Sequence, residues 1–335
     1  METRKVQLTG ESTYTVSLPK KWANKMKISA GDTVTLIPQP NGTLLVDPRM
    51  GGRRSAKKKV ISAHNETVES LFRKLVGAYI AGFTVIEVRG KGSLSSNMKG
   101  MIRDFRRKVI GFEVVEETID SVTLQDLLDS VDLPPKKALR RMFILVEKMF
   151  RDSWTVLTER NTALAEDVLS RDDEVDRLCW LIDKQYHSML RDLGYAEKLE
   201  VGLEECLQFL TVAKLLERIG DHAVRISGTV LGGSPAVRPE LTSALSPVME
   251  ISLEMLTKSV DAMFQGDLAK AEVVAGMRSA LSEKYESAME RVVKLESRAA
   301  VAYTYILDSM RRTGLYATDI SENAINHIAG LDSAE

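Results

Sequence analysis

Six side chains in the second half of the sequence have the chemistry and spacing to bind a metal ion. Asp172 and Asp176 are four residues apart, as are Glu217 and Asp221, so each pair falls on one face of a helix. With their neighbours, the candidate ligands are Asp172, Asp173, Asp176, Glu217, Asp221 and His222. Carboxylate oxygens beside an imidazole suit Mg²⁺, Mn²⁺ or iron, as in the carboxylate sites of helical bundles. We therefore predict a bound metal ion, and the sequence does not distinguish iron, manganese, zinc and magnesium.

A solvated acidic helix face is the alternative interpretation of the same residues. Arg177, Arg218 and Arg225 are close enough along the chain to form ion pairs with these carboxylates. However, Glu217 and Asp221 occur within an otherwise apolar helix, where uncompensated charge is uncommon. The residue pattern leaves both interpretations open.

The C-terminal part of the chain is predicted to be entirely helical. Apolar residues recur there at helical spacing, beginning with Leu139, Met142, Phe143, Val146 and Phe150. Shifting this region by 106 positions aligns Ser153 with Ser259, and a shift of 94 later superimposes two Arg-x-Gly triplets. Chance matching of alanines and serines is the alternative, but the ordered triplets favour duplication. We predict two three-helix bundles, over residues 136–232 and 240–330.

The second copy lacks the acidic residues of the first. Its positions corresponding to the predicted ligands are occupied by Arg278, Ser282, Arg311, Leu315 and Tyr316. These side chains cannot form a comparable set of carboxylate ligands. We therefore expect metal only in the first copy.

The first 130 residues are predicted to form two smaller domains. Residues 1–50 contain short β-type runs separated by glycine-containing turns, which indicates an all-β unit. A unit this small buries little apolar surface alone, so we expect it to share its core with a second copy in a homodimer. Residues 51–59 are predicted to be a basic linker that begins with glycines. Residues 60–130 have a βαβαββ pattern, typical of a small α+β domain, to which the sequence assigns no role.

The two ends of the chain carry opposite charge. Residues 1–60 contain twelve basic and four acidic side chains, a net charge of +8, whereas the whole chain has a formal net charge of -1. The basic end therefore suits a polyanion, and the acidic remainder suits cations.

The composition excludes several classes of protein. Hydrophobic residues make up 44% of the sequence and charged residues 28%, as in globular proteins rather than disordered ones. The longest apolar stretch is too short to cross a bilayer, and the N-terminus lacks the apolar run of a secretory signal. Two cysteines cannot form a disulfide framework. We expect a cytoplasmic protein without membrane insertion, and the lack of nucleophile or Walker patterns indicates that it is not an enzyme.

Two segments resemble known families. The sequence Leu-Glu-Arg-Ile-Gly-Asp-His-Ala at 216–223 resembles the signature of the PhoU family. That resemblance implies a pair of three-helix bundles with Glu/Asp-x-x-x-Asp metal motifs, matched here by Asp172, Asp176, Glu217 and Asp221. It also implies a negative regulator of phosphate uptake that acts through the high-affinity phosphate ABC transporter and its signalling.

The N-terminal segment resembles a SpoVT/AbrB-type domain. The resemblance rests on Leu18-Pro19-Lys20, Trp22, Gly31-Asp32 and the turn at Gly42. It implies a DNA-binding dimer of swapped hairpins, in which the residues placed toward the phosphate backbone are Arg4, Lys5, Lys20, Lys21 and Lys25. Lysine on phosphate positions a protein without reading bases. The combination of this domain with PhoU resembles archaeal phosphate uptake regulators.

These features predict a regulator of phosphate homeostasis that binds DNA through its N-terminal dimer and controls transcription. In this interpretation the helical region binds metal and a protein partner, namely the phosphate ABC transporter or its signalling components. An adaptor that does not bind DNA, whose AbrB-like segment only dimerises, is the main alternative. A di-metal phosphoesterase is a third possibility, although His222 is its sole candidate general acid.

Overall fold

The chain divides into two compact units, Met1–Ser55 and Ala56–Glu335. A computed structural model describes residues 2–38, 42–48, 57–128, 132–192, 194–233 and 239–331. Most of the predicted basic linker, residues 51–56, lies outside the described residues. Lys58 and Lys59, which the sequence assigned to that linker, instead begin a strand and pair with Val85 and Ile86.

The N-terminal unit consists of two antiparallel hairpins with a short helix between them. Its elements are β1 (Gln7–Thr9), β2 (Thr13–Thr15), α1 (Lys20–Met26), β3 (Thr35–Pro38) and β4 (Leu44–Asp47). Gly10 lies between β1 and β2 with φ +70°, a conformation that side chains with a Cβ rarely adopt. Pro19 precedes α1, and Lys27 ends it in the left-handed conformation.

The first part of the second unit is a four-stranded sheet with two helices. Its elements are β5 (Lys58–Ser62), α2 (Val68–Ile80), β6 (Val85–Arg89), α3 (Ser96–Lys108), β7 (Phe112–Glu117) and β8 (Ser121–Asp126). The strand order is β5-β6-β8-β7, in which β5 and β6 are parallel and the other pairs are antiparallel. Leu75 of α2 and Phe105 of α3 are fully buried in one core with Ile86 and Leu124 of the sheet. This confirms the predicted α+β fold.

The rest of the second unit is helical and has one continuous apolar core. The first repeat contains α4 (Pro135–Glu159), α5 (Thr162–Met189), the short α6 (Gly194–Leu199) and α7 (Leu203–Leu231). The second contains α8 (Pro239–Gln265), α9 (Leu268–Gly276), α10 (Arg278–Val292) and α11 (Ser297–Leu331). The α9 and α10 segments together take the place of α5, and their division at Met277 was not predicted.

Equivalent positions in the two repeats have equivalent surroundings. Ser153 and Ser259 are both fully buried. Each donates a hydrogen bond to the carbonyl three residues earlier, at 2.6 Å from Ser153 to Phe150 and 2.9 Å from Ser259 to Leu256. A buried hydroxyl that bonds within its own helix needs no partner from outside. This agreement supports the duplication inferred from the sequence.

Helix α5 joins the helical part to the sheet part. Lys184 is 3% exposed, and its Nζ lies 2.5 Å from Asp126 Oδ2 at the end of β8. The same ammonium group lies over the rings of Tyr79 and Phe112, at 4.7 and 5.3 Å from their centroids. A buried charge needs such compensation, so this contact fixes α5 against the sheet domain.

No helix in the described part of the chain combines the length and the apolar character of a membrane span.

Candidate metal centre

Four of the six predicted ligands come together between α5 and α7. Asp172 and Asp176 lie one turn apart on α5, and Glu217 and Asp221 lie one turn apart on α7. The side chain of Asp172 reaches the surface of α7 at Gly220, where a Cβ would lie at an ordinary contact distance of 3.6 Å from Asp172 Oδ1. The carboxylate of Asp172 therefore lies against the backbone of α7 beside Asp221.

Burial, together with the charges of neighbouring carboxylates, raises the pKa values of Asp172, Asp176 and Glu217. Partial burial, followed by the charges of Asp172, Glu217 and Asp221, raises the pKa of Asp176 to about 7. Burial and the charges of Asp221 and Asp173 raise the pKa of Asp172 to about 6. The pKa of Glu217 is raised by burial and by Asp221. Neutralisation by protons or by a cation would therefore stabilise the cluster.

Burial also raises the pKa of Asp221, and Arg225 opposes that shift. Arg225, one of the arginines considered as ion-pair partners from the sequence, thus compensates the negative charge at the Asp221 end of the cluster. Asp176, whose pKa is raised further than that of Asp172, lies at the other end. The excess of negative charge is greatest around Asp176.

The donor set fits a hard cation, because all four groups are carboxylates. In the described part of the chain, however, no three His, Cys, Asp or Glu side chains already converge as a metal-binding group. Coordination would require these carboxylates to rotate toward a common point. If bound, the cation would neutralise the cluster and hold α5 to α7.

Asp173 and His222 are not part of this cluster. Asp173 is exposed, and its Oδ1 lies 3.0 Å from Lys108 Nζ of α3. His222 is buried and stacks on Tyr316 of α11, with ring centroids 5.8 Å apart. Burial and the nearby Arg225 lower the pKa of His222 to about 4, so its imidazole is neutral at pH 7. The structure thus assigns both residues to contacts with other helices.

The corresponding place in the second repeat is basic. Arg278 at the start of α10 and Arg311 of α11 line one pocket, together with Leu315 and Tyr316. Sequence comparison of the repeats treated these positions only as lost ligands and missed Arg312, which lines the same pocket. The sequence did contain a signal for this pocket, because two positions that are acidic in the first repeat are arginine in the second.

The five basic residues predicted to contact DNA are all exposed. Arg4 and Lys5 precede β1, and Arg4 is paired with Glu2 at 2.6 Å. Lys20, Lys21 and Lys25 lie on α1, where Lys21 and Lys25 are one turn apart. One face of α1 therefore presents at least two ammonium groups to solvent.

Comparison with known proteins identifies the helical region. The sequence model of the PhoU domain matches residues 139–230 and 245–324, which together make up more than half of the chain. The chain belongs to the PhoU family. Residues 7–54 match the antidote-toxin recognition MazE family of bacterial antitoxins, which agrees with the resemblance to SpoVT/AbrB-type domains.

Several relatives of the PhoU region carry a common name. A phosphate-specific transport system accessory protein PhoU homolog 2 from Thermotoga maritima is 26% identical over 203 residues, covering 58% of this chain and 84% of the relative. A PhoU homolog from Pseudomonas aeruginosa with the corresponding name is 26% identical over 199 residues, covering 56% of this chain and 79% of the relative. These matches confirm the family expected from residues 216–223.

A solved structure supports the same fold. The crystal structure of PhoU from Pseudomonas aeruginosa superposes with a TM-score of 0.51 and 22% sequence identity. The match covers 58% of this chain and 96% of that one. The arrangement of helices in the PhoU region is therefore that of PhoU.

Proposed function

We propose that this protein regulates phosphate uptake and phosphate homeostasis, binding DNA through a dimer of its N-terminal unit. Its PhoU region binds a metal ion and a protein partner, the phosphate ABC transporter or its signalling components, in the cytoplasm. The observation that carries this proposal is the presence on one chain of a PhoU region and a basic AbrB-like unit. PhoU relatives are named as accessory proteins of phosphate-specific transport, which supports regulation rather than catalysis.

The exposed apolar surface of the N-terminal unit supports dimerisation. Tyr14 is 77% exposed, and Val6, Leu8 and Leu36 are also exposed. Of the large apolar side chains described in this unit, Ile37 is the one that is buried, and one buried residue makes no core. A second copy would cover these side chains and complete the core.

The position of α1 supports DNA binding. Lys20, Lys21 and Lys25 are exposed on this helix, and Arg4 and Lys5 add charge from the segment before β1. In a dimer each contact would occur twice, which increases the number of phosphates neutralised. Such contacts contribute affinity and strong salt dependence, and base contacts would have to supply operator choice.

The carboxylates of α5 and α7 support the metal assignment. They lie close enough for their negative charges to act on one another, and a cation would relieve that repulsion. A metal held there would link the two long helices of the first repeat and rigidify the surface available to a partner.

A salt titration of DNA binding tests the proposal. We expect full-length protein to prefer the promoter of its own phosphate-transport genes over a scrambled sequence, and a chain that begins at residue 56 not to bind. Replacing Lys21 by Gln should weaken binding to both sequences and reduce the slope of log K against log salt by about 1 per removed phosphate contact. Lys137→Gln on α4 removes the same charge elsewhere and should leave the slope unchanged. Equal slopes for Lys21→Gln and Lys137→Gln would contradict the placement of α1 on DNA.

A protein-binding adaptor is the second candidate function. The match of residues 7–54 to a family of bacterial antitoxins favours it, because members of that family are described by their recognition of a toxin. In this case the N-terminal unit would only dimerise. Absence of DNA binding at physiological salt, with transporter binding retained by the chain that begins at residue 56, would support the adaptor.

A further inference from the structure

The second PhoU repeat contains an arginine-lined pocket to which the proposed function gives no role. This arginine pocket encloses about 290 Å³ and is lined by Arg278, Arg311, Arg312, Tyr316 and Thr318, among others. Its volume lies just below the range of about 300–1,000 Å³ typical of pockets for drug-sized ligands. It therefore suits a small ligand.

The pocket takes the place of the carboxylate cluster of the first repeat. Arg278 aligns with Asp172 at the offset of 106 residues, and Arg311 aligns with Glu217 at the offset of 94. The sign of the charge is thus reversed at two equivalent positions. A site that repels cations in this way attracts anions.

Two of the three guanidinium groups are held in place by neighbouring side chains. The Arg311 guanidinium carbon lies 4.9 Å from the centroid of the Tyr285 ring. Arg312 Nε donates a hydrogen bond to Asp308 Oδ2 at 2.9 Å. Stacked and hydrogen-bonded arginines lose less freedom when they bind a ligand, so less of the binding free energy is spent on ordering them.

Positive charge is in excess around the pocket. Asp319 is the acidic residue of the lining, and Arg278 and Arg218 both lie near enough to act on its charge. Among the residues with described positions, neither Arg278 nor Arg311 forms an ion pair with a carboxylate. Their N–H donors are therefore available to a ligand.

We propose that the arginine pocket binds a phosphate-class oxyanion, either free orthophosphate or the phosphoryl group of a small phosphomonoester. Guanidinium groups pair with phosphate oxygens through two parallel N–H donors, which a single lysine cannot do. The restricted volume favours one phosphoryl group over a larger phosphorylated ligand. This inference goes beyond the proposed function, because it requires neither DNA binding nor a bound metal.

Isothermal titration calorimetry of the full-length chain tests this proposal. The probes are sodium orthophosphate and glycerol 3-phosphate at millimolar concentrations, with ionic strength held constant by sodium chloride. Glu217→Gln/Asp221→Asn should serve as the background, so that phosphate bound through a metal ion in the first repeat does not contribute. We expect saturable binding of at least one probe, and the probe that binds identifies the source of the phosphoryl group.

The variants locate the site. Arg311→Gln should weaken binding by at least about tenfold, because a charged hydrogen-bond donor is lost. Arg278→Gln should weaken it similarly and keeps the test valid if Arg311→Gln fails to fold, since Arg278 is exposed. Arg298→Gln, an exposed arginine of α11 outside the pocket, should leave the affinity unchanged.

Two results would overturn the assignment. One is the absence of saturable binding of either probe. The other is binding that Arg278→Gln and Arg311→Gln alter no more than Arg298→Gln does, which places the anion elsewhere. Because these titrations contain no DNA and no added metal, failure of the pocket and failure of the proposed function are distinguishable.

Discussion

The two PhoU repeats have the same scaffold and opposite charge at equivalent positions. Their buried hydroxyls, Ser153 and Ser259, make the same hydrogen bond in the same place. Asp172 and Glu217 of the first repeat nevertheless correspond to Arg278 and Arg311 of the second. These charged side chains are partly or fully exposed, whereas the positions that define the fold are buried. A duplicated fold can therefore keep its core while the chemistry of its sites diverges.

The two sites are also neighbours in the structure. His222, which follows Asp221 on α7, stacks on Tyr316, which lines the arginine pocket. Arg218 of α7 lies over the same ring, 5.9 Å from its centroid. The α7–α11 contact thus separates a site suited to a cation from one suited to an anion, and charges bound at both would attract each other.

Removing the carboxylates of the first repeat should have the largest effect. We expect the parent protein to bind Mn²⁺, and Mn²⁺ at about 100 times its Kd to raise the free energy of unfolding by about 2.7 kcal/mol. Glu217→Gln/Asp221→Asn should abolish that gain, because two of the four oxygen donors are neutralised. Thermal unfolding and elemental analysis after gel filtration measure both effects.

The matched controls for metal binding lie in the same two repeats. Asp173→Asn removes an exposed carboxylate that is paired with Lys108, and Arg311→Gln changes the equivalent site of the second repeat. Both should keep the metal content of the parent. Unchanged metal content in Glu217→Gln/Asp221→Asn would refute the assignment to the first repeat.

Equivalent glycines provide an intermediate effect on stability. A Cβ at Gly314 would lie 2.6 Å from Leu281 Cδ2 and 3.2 Å from Ser252 Oγ, both in buried side chains. At Gly220 the nearest atoms would lie at 3.6 Å, an ordinary contact distance. Replacing either glycine by alanine gives the same gain in helix propensity, so the difference between the variants reports crowding.

We expect Gly314→Ala to be less stable than Gly220→Ala by about 1–2 kcal/mol. Urea unfolding of both variants, with the slope of the transition compared to that of the parent, measures the difference. Equal midpoints would mean that Leu281 moves aside without cost, and that the second repeat is less tightly filled than its burial indicates.

The positions of the charged residues on their helices can be predicted from the sequence, because helical periodicity depends only on residues that are close together in the chain. The spacing of four residues predicts that Asp172 and Asp176 share one helix face and that Glu217 and Asp221 share another, and in the structure the charges of these residues act on one another across α5 and α7. Adjacent positions on a helix differ by about 100° in direction, which explains why His222 faces α11 instead.

The arginine pocket and the attachment of α5 depend on tertiary contacts, which periodicity does not contain. Arg312 lines the pocket because α11 also contacts α10, and this contact could not be inferred from the repeat alignment. Nothing in the sequence distinguishes Lys184 from the other charged residues of α5, yet it is buried against Asp126. Its role requires knowing that the sheet domain covers this part of α5.

The smallest expected effect is a dependence of stability on pH that arises from the carboxylate cluster of the first repeat. The folded chain raises the pKa of Asp172 to about 6 and that of Asp176 to about 7, compared with about 3.9 in an unfolded chain. At a pH between the unfolded and the folded pKa values, the folded state binds more protons than the unfolded state. In metal-free protein these two groups therefore make the free energy of unfolding fall as the pH rises from about 4 to about 7.

Asp176→Asn removes one of these titrating groups and should therefore be more stable than the parent above pH 7. The two proteins should converge near pH 4, where the parent carboxyl is protonated in the folded state. Because Asp176 is half-buried and partly screened by solvent, we expect a gain below about 1 kcal/mol, or about 2 °C in Tm. Thermal unfolding in chelator from pH 4 to 8 measures it, with Ser282→Asn at the equivalent position of the second repeat as the control. A gain that is as large at pH 4 as at pH 8 would show that Asp176 acts through packing, and that the repeats do not differ in electrostatics at this position.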